Sequence, residues 1–154
     1  MMQRPARRWL GAVLVAAVVG FPGPACFAID NPDAPDLVGD FQARAQAFES
    51  RIGAAAGSTR EITAAYAEYE HFLDAELGQA YRALAAKLGA TERASLEKAQ
   101  ERWLAYRDAE FRFIEDNWAF AQFGTSAALS RGAYRTSIVK ERALALLQYL
   151  KNYP

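Results

Sequence analysis

One acidic stretch of the sequence has the residue types of a metal site. Glu68 and His71 have the spacing Glu-x-x-His, which projects two ligands from one face of a helix, and further acids stand at Glu70, Asp74 and Glu76. Carboxylate-bridged metal bundles use two such motifs and two additional glutamates. Because the chain has a single histidine, most of that ligand set is missing. We therefore expect a solvated acidic helix face, with no metal and no other cofactor.

The sequence offers no recognisable nucleophile. Ser58, Ser126 and Ser130 stand in helix-cap or loop contexts, and none lies in a Gly-x-Ser-x-Gly elbow. A glycosidase-like pair of carboxylates is neither supported nor excluded, because any acidic helix offers two acids at some suitable separation. One cysteine and one histidine also disfavour a zinc cage or a Cys/His pair. The sequence predicts no catalytic residues and a protein that is not an enzyme.

A more unusual segment places a carboxylate among aromatic residues. Glu110 lies four residues after Tyr106 and three before Phe113, which puts it on the same helical stripe as these rings. A buried charge is costly unless it is paired. We expect a polar clamp, meaning an ion pair that fixes helix register, with a ligand-binding role of Glu110 as the alternative. Three arginines are candidate partners: Arg107, Arg135 and Arg142.

Apolar periodicity predicts the helices that position these groups. A short first helix ends near Gly53, and a long second helix begins at Ser58 and Glu61, which have the spacing of a capping box. Gly89 is expected to end that helix in the left-handed conformation. The apolar stripe of the second helix recurs every three or four residues: Ile62, Tyr66, Tyr69, Leu73, Leu77, Ala80, Leu84 and Leu88.

Two further helices follow. The third opens at Thr91 and, after a short connection, folds back on the second. Its expected core face comprises Leu96, Ala99, Trp103, Tyr106 and Phe113, with a second row of Leu104, Phe111 and Trp118. The last helix runs to about Tyr149, and its expected inner face comprises Leu129, Ala133, Thr136, Val139, Ala143, Leu146 and Leu150. We predict an all-α fold: an antiparallel helical bundle of three long helices plus a shorter N-terminal helix.

The first 28 residues have the regions of a secretory signal peptide. Three arginines precede a mostly apolar run at 9–21, which is followed by a turn and small residues. Because the run is shorter than the about 20 residues that a spanning helix needs, we expect export, with cleavage after Ala28 and no membrane span. Residues 23–25 do not match the segment that precedes a lipidated cysteine, so a lipid anchor at Cys26 is not favoured.

The rest of the chain divides into a leader with its short helix and Gly/Ala-rich connection at 29–57, and a helical domain at 58–154. The full chain has 18 basic and 18 acidic side chains. This balance lacks the basic excess of nucleic-acid binders, so we expect no nucleic-acid partner. Removal of residues 1–28 leaves a net charge of −3 and no cysteine. Packing must then stabilise the exported protein without disulfides.

Motifs on the second, third and last helices occur together over about residues 58–150: Asp74-Ala75-Glu76-Leu77-Gly78-Gln79-Ala80-Tyr81, Gln100 with Trp103 and Tyr106-Arg107-Asp108-Ala109-Glu110, and Glu141-Arg142. This set resembles the LprI-like lysozyme-inhibitor family of exported bacterial proteins. The resemblance implies a small helical domain and, for at least some members, inhibition of lysozyme. It marks nine residues as family-motif, binding or clamp positions: Asp74, Glu76, Tyr81, Trp103, Tyr106, Arg107, Asp108, Glu110 and Arg142.

The sequence departs from the family pattern at its cysteines. Members usually have a cysteine after the Asp-x-Glu, where this chain has Phe111, and others about where Ala65 and Tyr134 stand. The family's usual Asn after Glu-Leu is Gly78. The disulfides that the resemblance implies are therefore absent, and Phe111 and Tyr134 are expected to fill the space with apolar bulk.

Two non-enzymatic functions follow. The first is an envelope protein that binds another protein, with a lysozyme as the partner implied by the resemblance and occlusion of its cleft as the mechanism. A net charge of −3 would steer such a protein toward basic lysozymes. The alternative is a structural or assembly protein of the cell envelope that binds a partner through its helical hairpin. An exposed apolar row on the third helix would favour this alternative.

Overall fold

The computed structural model describes residues 35–55 and 58–153, which form five helices. They are α1 (Leu37–Ala54), α2 (Thr59–Lys87), α3 (Ala90–Asn117), α4 (Phe120–Phe123) and α5 (Ser126–Lys151). No strand occurs in these residues. The predicted all-α bundle of three long helices and a shorter N-terminal helix is confirmed. The predicted signal peptide, its cleavage point and Cys26 lie outside the described residues.

The directions of the helices follow from ion pairs and hydrogen bonds between them. Arg44 and Arg51 of α1 bind Glu76 and Glu68 of α2, respectively, so these two helices run antiparallel. Helices α3 and α5 also run antiparallel. Arg142, late in α5, binds Gln100, early in α3, whereas Arg131 and Arg135, early in α5, bind Glu115, late in α3. Since α3 also folds back along α2, the central helices α2 and α5 run parallel to each other.

The closest packing joins α2 to α5. A side chain on Gly132 of α5 would overlap the ring of Tyr66 of α2, so only glycine allows the two helices to approach this closely. Further along the same two helices, Leu73 and Leu146 are fully buried in the core. The main core consists of residues from four helices: Phe41, Ala45, Tyr69, Leu73, Leu77, Ala80, Leu84, Leu96, Val139, Ala143, Leu146 and Leu147.

Helix α1 packs on this core through aromatic rings. The Phe48 ring stacks on that of Phe72, with centroids 4.5 Å apart, and Phe41 is completely buried. Beside these rings the Glu49 carboxylate accepts hydrogen bonds from the Tyr69 hydroxyl at 2.7 Å and from the Lys140 ammonium at 2.6 Å. These contacts tie α1 to both central helices.

Local signals predicted the ends of α2 with mixed success. The Ser58 hydroxyl accepts a hydrogen bond from the Glu61 amide, as predicted for the cap. The left-handed stop at Gly89 is wrong, because Gly89 has a φ of −66°. The Arg93 guanidinium instead donates to the Ala85 and Leu88 carbonyls, which satisfies the end of the helix without a left-handed residue. The positive φ belongs to Gly124, at 56°, between α4 and α5.

The core faces of α3 and α5 differ in part from the prediction. Tyr106 and Phe113 are 51% and 53% exposed, and Leu129 and Ala133 of α5 are also exposed. The buried residues of α3 are Leu96, Gln100 and Ile114. The α3 core face therefore excludes Tyr106 and Phe113. It includes Gln100, a polar residue that apolar periodicity assigns to the surface.

None of the helices within residues 35–55 and 58–153 combines the length and the apolar character needed to span a membrane.

Candidate functional site

The family-like motif of α3 divides between two sides of the helix. Trp103, Arg107 and Phe111 are four residues apart and are all partly buried against the bundle. Tyr106, Glu110 and Phe113 form a neighbouring row that borders solvent. We call the first set the inner row and the second the outer row. The two rows have different chemical surroundings and define different roles.

The inner row is part of an alternating stack of arginines and rings, which we call the arginine ladder. It comprises Trp103, Arg107, Phe111, Arg135 and Arg142. The Arg107 guanidinium carbon lies 5.6 Å from the Trp103 ring centroid and 5.7 Å from that of Phe111. The α5 residues complete the stack, with Arg142 5.8 Å from Trp103 and Arg135 4.4 Å from Phe111. All four distances fall within the range of cation–π attraction.

Polar partners satisfy two of the ladder arginines. Arg107 donates to the Asp108 carboxylate at 2.8 Å and lies 4.0 Å from the Asp74 carboxylate of α2. Arg142 donates two hydrogen bonds, of 3.1 Å and 3.0 Å, to the side-chain oxygen of buried Gln100. Burial lowers the pKa of Arg142 from its usual value. These contacts identify the ladder as a packing device that joins α3 to α5 and α2.

The third ladder arginine connects three helices. Arg135 of α5 binds Glu70 of α2 at 3.0 Å and Glu115 of α3 at 3.0 Å. Arg131 also reaches Glu115, at 3.4 Å. The ends of these guanidinium groups are thus held by carboxylates on neighbouring helices, while the Phe111 ring supports one face of Arg135.

The predicted clamp of Glu110 is wrong. Within the described residues Glu110 is half-buried and forms no ion pair with lysine or arginine. The three candidate arginines bind other groups, because the face that α3 turns to the bundle is the one that carries Arg107. Glu110 lies instead at the edge of that face, beside the rings of the outer row.

Glu110 is one wall of a groove between α3 and α5. The groove, which we call the aromatic groove, is open to solvent and has a volume of about 240 Å³. It is lined by Tyr106, Glu110, Phe113, Ile114, Trp118, Tyr134, Ser137 and Ile138. The Trp118 ring centroid lies 4.8 Å from that of Tyr134 and 5.9 Å, edge to face, from that of Phe113. Ring contacts at such distances are attractive beyond the area that they bury. The result is a partly exposed aromatic surface around one carboxylate.

Two predicted positions lie apart from this region. Glu76 of α2 binds Arg44 of α1 at 2.8 Å, and Tyr81 packs against the main core further along α2. The structure therefore brings Asp74, Asp108 and Arg142 to the ladder, and Tyr106 and Glu110 to the groove, but leaves Glu76 and Tyr81 outside both.

The acidic residues of α2 form separate ion pairs with different neighbouring helices. Glu68 binds Arg51 at 2.9 Å, Glu70 binds Arg135, and His71 is exposed. No group of three or more His, Cys, Asp or Glu side chains within residues 35–55 and 58–153 is arranged to hold a metal ion. These carboxylates therefore act as separate ion-pair partners rather than as a converging ligand set.

The three other aromatic residues of the groove, Phe113, Trp118 and Tyr134, are not among the predicted site residues. The sequence predicts Phe113 and Trp118 as core residues and Tyr134 as apolar bulk that fills space. Trp118 and Tyr134 lie on different helices, so no spacing within one helix could have shown their contact. The density of rings just after the charged Arg107-Asp108 pair was the one signal available.

The fold and these two clusters define a small all-α domain in which ion pairs between helices brace the bundle and exposed rings line a groove between α3 and α5. The model of the family described as Lysozyme inhibitor LprI matches residues 52–146, which is more than half of the chain. The chain therefore belongs to the LprI lysozyme-inhibitor family. The match includes both the ladder and the groove, and begins near the end of α1. Neither the curated proteins nor the solved structures gave a match to this chain.

Proposed function

We propose that this protein is exported and binds a lysozyme, which it inhibits by covering the substrate cleft. Membership of the LprI lysozyme-inhibitor family is the observation that carries this proposal. Inhibition by occlusion requires a rigid surface and no chemistry of its own. The bundle meets that requirement, since the ladder and the α2–α5 contact brace the helices that present the surface.

The positions of the serines agree with a non-catalytic mechanism. The Ser58 hydroxyl caps α2, and the Ser126 hydroxyl donates to the Phe123 carbonyl at 2.6 Å. Both groups thus serve the backbone at helix starts, which is a common role for serine. The family description, an inhibitor, is compatible with this interpretation.

The charge of the exported chain supports association with a basic partner. Residues 29–154 carry a net charge of −3. Opposite charge raises the rate at which two proteins meet and is screened by salt, over about 8 Å at physiological ionic strength. Export itself is proposed from the signal-like residues 1–28, and N-terminal sequencing of the secreted protein should return Ile29 first.

Turbidity assays of cell-wall lysis test the proposal. Purified protein without residues 1–28 would be mixed at micromolar concentration with each of a panel of lysozymes, at low and at high salt. We expect inhibition of at least one basic lysozyme, weaker at high salt. If the protein inhibits none of the lysozymes at low salt, the proposal is contradicted.

A structural or assembly role in the cell envelope is the second candidate. The exposure of Tyr106 and Phe113 favours it, because it gives α3 the apolar row that docking to a partner helix would use. Capture of one defined envelope component by the wild-type protein, with no lysozyme inhibition, would favour this role. Loss of that capture in a Phe113→Ser variant would assign it to the row.

A further inference from the structure

We propose that the aromatic groove is the docking site for one cationic side chain, arginine or lysine, on the surface of a basic protein partner. This inference rests on the proposed function, in which that partner is a lysozyme. It assigns the contact to Glu110 and the surrounding rings, with Glu110 as the acceptor of the ion pair.

The charge of Glu110 is the first argument. Glu110 is a half-buried residue on the lining of the groove, and it has no cationic partner among the described residues, because the nearby arginines are held by Asp108, Glu115 and Gln100. A carboxylate that a bound molecule covers is stabilised most by a cation that brings hydrogen-bond donors. In the described part of the fold no arginine or lysine supplies that cation, so we assign it to another molecule.

The arginine ladder supplies the second argument, because it shows the same arrangement with its cation in place. Arg135 lies on the ring of Phe111 and binds a carboxylate on each side, while Arg107 lies between two rings and binds Asp108. The groove presents the other two components, rings and a carboxylate, with open space between them. Its chemistry is therefore that of a receptor for a guanidinium or ammonium group.

The exposure of the rings is the third argument. Tyr106, Phe113 and Tyr134 are each about half exposed, and a volume of about 240 Å³ is large enough for the end of one long side chain. Aromatic residues in a pocket are typical anchors of protein interfaces. A purely apolar occupant would bury Glu110 unpaired, and a second copy of residues 29–154 would be repelled, since these residues carry a net charge of −3.

Matched variants on α3 test the site. Glu110→Gln and Glu110→Lys remove and reverse the charge in the groove, Tyr106→Ala removes an exposed ring, and Asp116→Asn is the control. Asp116 is exposed on the same helix and does not line the groove. The readout is the concentration of protein that half-inhibits the most sensitive lysozyme of the panel, with circular dichroism melts as the check of folding.

We expect Glu110→Gln to weaken inhibition by about tenfold or more and Glu110→Lys to abolish it, whereas Asp116→Asn should stay within about twofold of wild type. Tyr106→Ala should also weaken inhibition, and it keeps the test valid should a Glu110 variant unfold. Wild-type potency in folded Glu110→Gln and Tyr106→Ala would overturn the site and leave the proposed function standing.

A second measurement judges the groove if no lysozyme is inhibited. The isotopically labelled protein is titrated with N-acetyl-argininamide and followed by NMR at the two indole N–H groups of residues 29–154. We expect saturable shifts at Trp118, which lines the groove, and none at Trp103, which lies in the ladder. The shifts should disappear in Glu110→Gln. Absence of a Trp118 shift, or an equal shift in the variant, would overturn the site.

Discussion

The Arg135 guanidinium lies over the Phe111 ring, with its central carbon 4.4 Å from the ring centroid, while its nitrogens bind Glu70 and Glu115. One side chain of α5 is thereby joined to α2 by an ion pair and to α3 by both a ring and an ion pair. The resemblance to LprI-like sequences implies a cysteine at the position of Phe111. In this chain the same position connects helices through a non-covalent contact.

Truncation of that ring should destabilise the bundle. Phe111→Ala removes apolar packing and the surface under Arg135, so we expect the free energy of unfolding to fall by about 1–3 kcal/mol. Urea denaturation at neutral pH measures the change. Phe120→Ala is the matched control, since Phe120 is 66% exposed and should change stability by less than about 0.5 kcal/mol. Equal midpoints for the two variants would contradict a structural role of the ladder.

The pattern of α2 was predictable because its burial follows hydropathy. Tyr69, Leu73, Leu77, Ala80 and Leu84 are all buried, at steps of three and four residues. Local cap chemistry likewise placed the start of the helix. Both signals depend on residues that are neighbours in sequence.

The core face of α3 was not predictable in this way. It contains Gln100 and Arg107, which hydropathy assigns to the surface. Their burial depends on partners from other helices, including Arg142 and Asp74. The candidate site was predictable only in part for the same reason. The spacing of Glu110 placed it among aromatic rings, but whether an arginine pairs with it depends on contacts between helices.

The Gly132 contact predicts a steric effect that depends on one partner. Gly132→Ala should destabilise the protein by about 1–3 kcal/mol, because the added carbon would overlap the Tyr66 ring. Gly53→Ala is the control, since open space surrounds that position in α1. In a Tyr66→Ala background, Gly132→Ala should cost much less. A cost unchanged by the Tyr66 truncation would show that the clash is not its source.

Loss of the hydrogen bonds to the buried Gln100 side chain should lower the stability of the protein. Arg142→Ala removes both donors to the Gln100 oxygen, and an unsatisfied buried acceptor costs about 1–3 kcal/mol. We expect a lower urea midpoint for this variant. Arg102→Ala, at an exposed position of the neighbouring helix, should stay near the wild-type midpoint. If Arg102→Ala were as destabilising as Arg142→Ala, loss of charge rather than of the hydrogen bonds would be the cause.

Protonation of Glu49 at acidic pH should weaken the attachment of α1 to α2 and α5. The hydrogen bond from Lys140, and secondarily that from Tyr69, hold the pKa of Glu49 below its ordinary value of 4.5, although burial opposes them. Because the folded-state pKa is the lower one, the stabilisation is complete above the ordinary value and is lost as the pH falls through the folded-state pKa. Stability should therefore decline on acidification below about pH 4.5 as Glu49 becomes protonated.

Melting curves of wild type and Glu49→Gln at several pH values measure this contribution. We expect the variant to be less stable than wild type at pH 7, and the difference to shrink steadily below pH 4.5, the ordinary pKa. Glu97→Gln removes an exposed carboxylate on α3 and should lie close to wild type at every pH. Because Glu49 joins α1 to Lys140 of α5, amide exchange in α1 should rise over the same acidic range in wild type. A stability difference that is independent of pH would show that the charge of the Glu49 carboxylate does not hold α1 to α5.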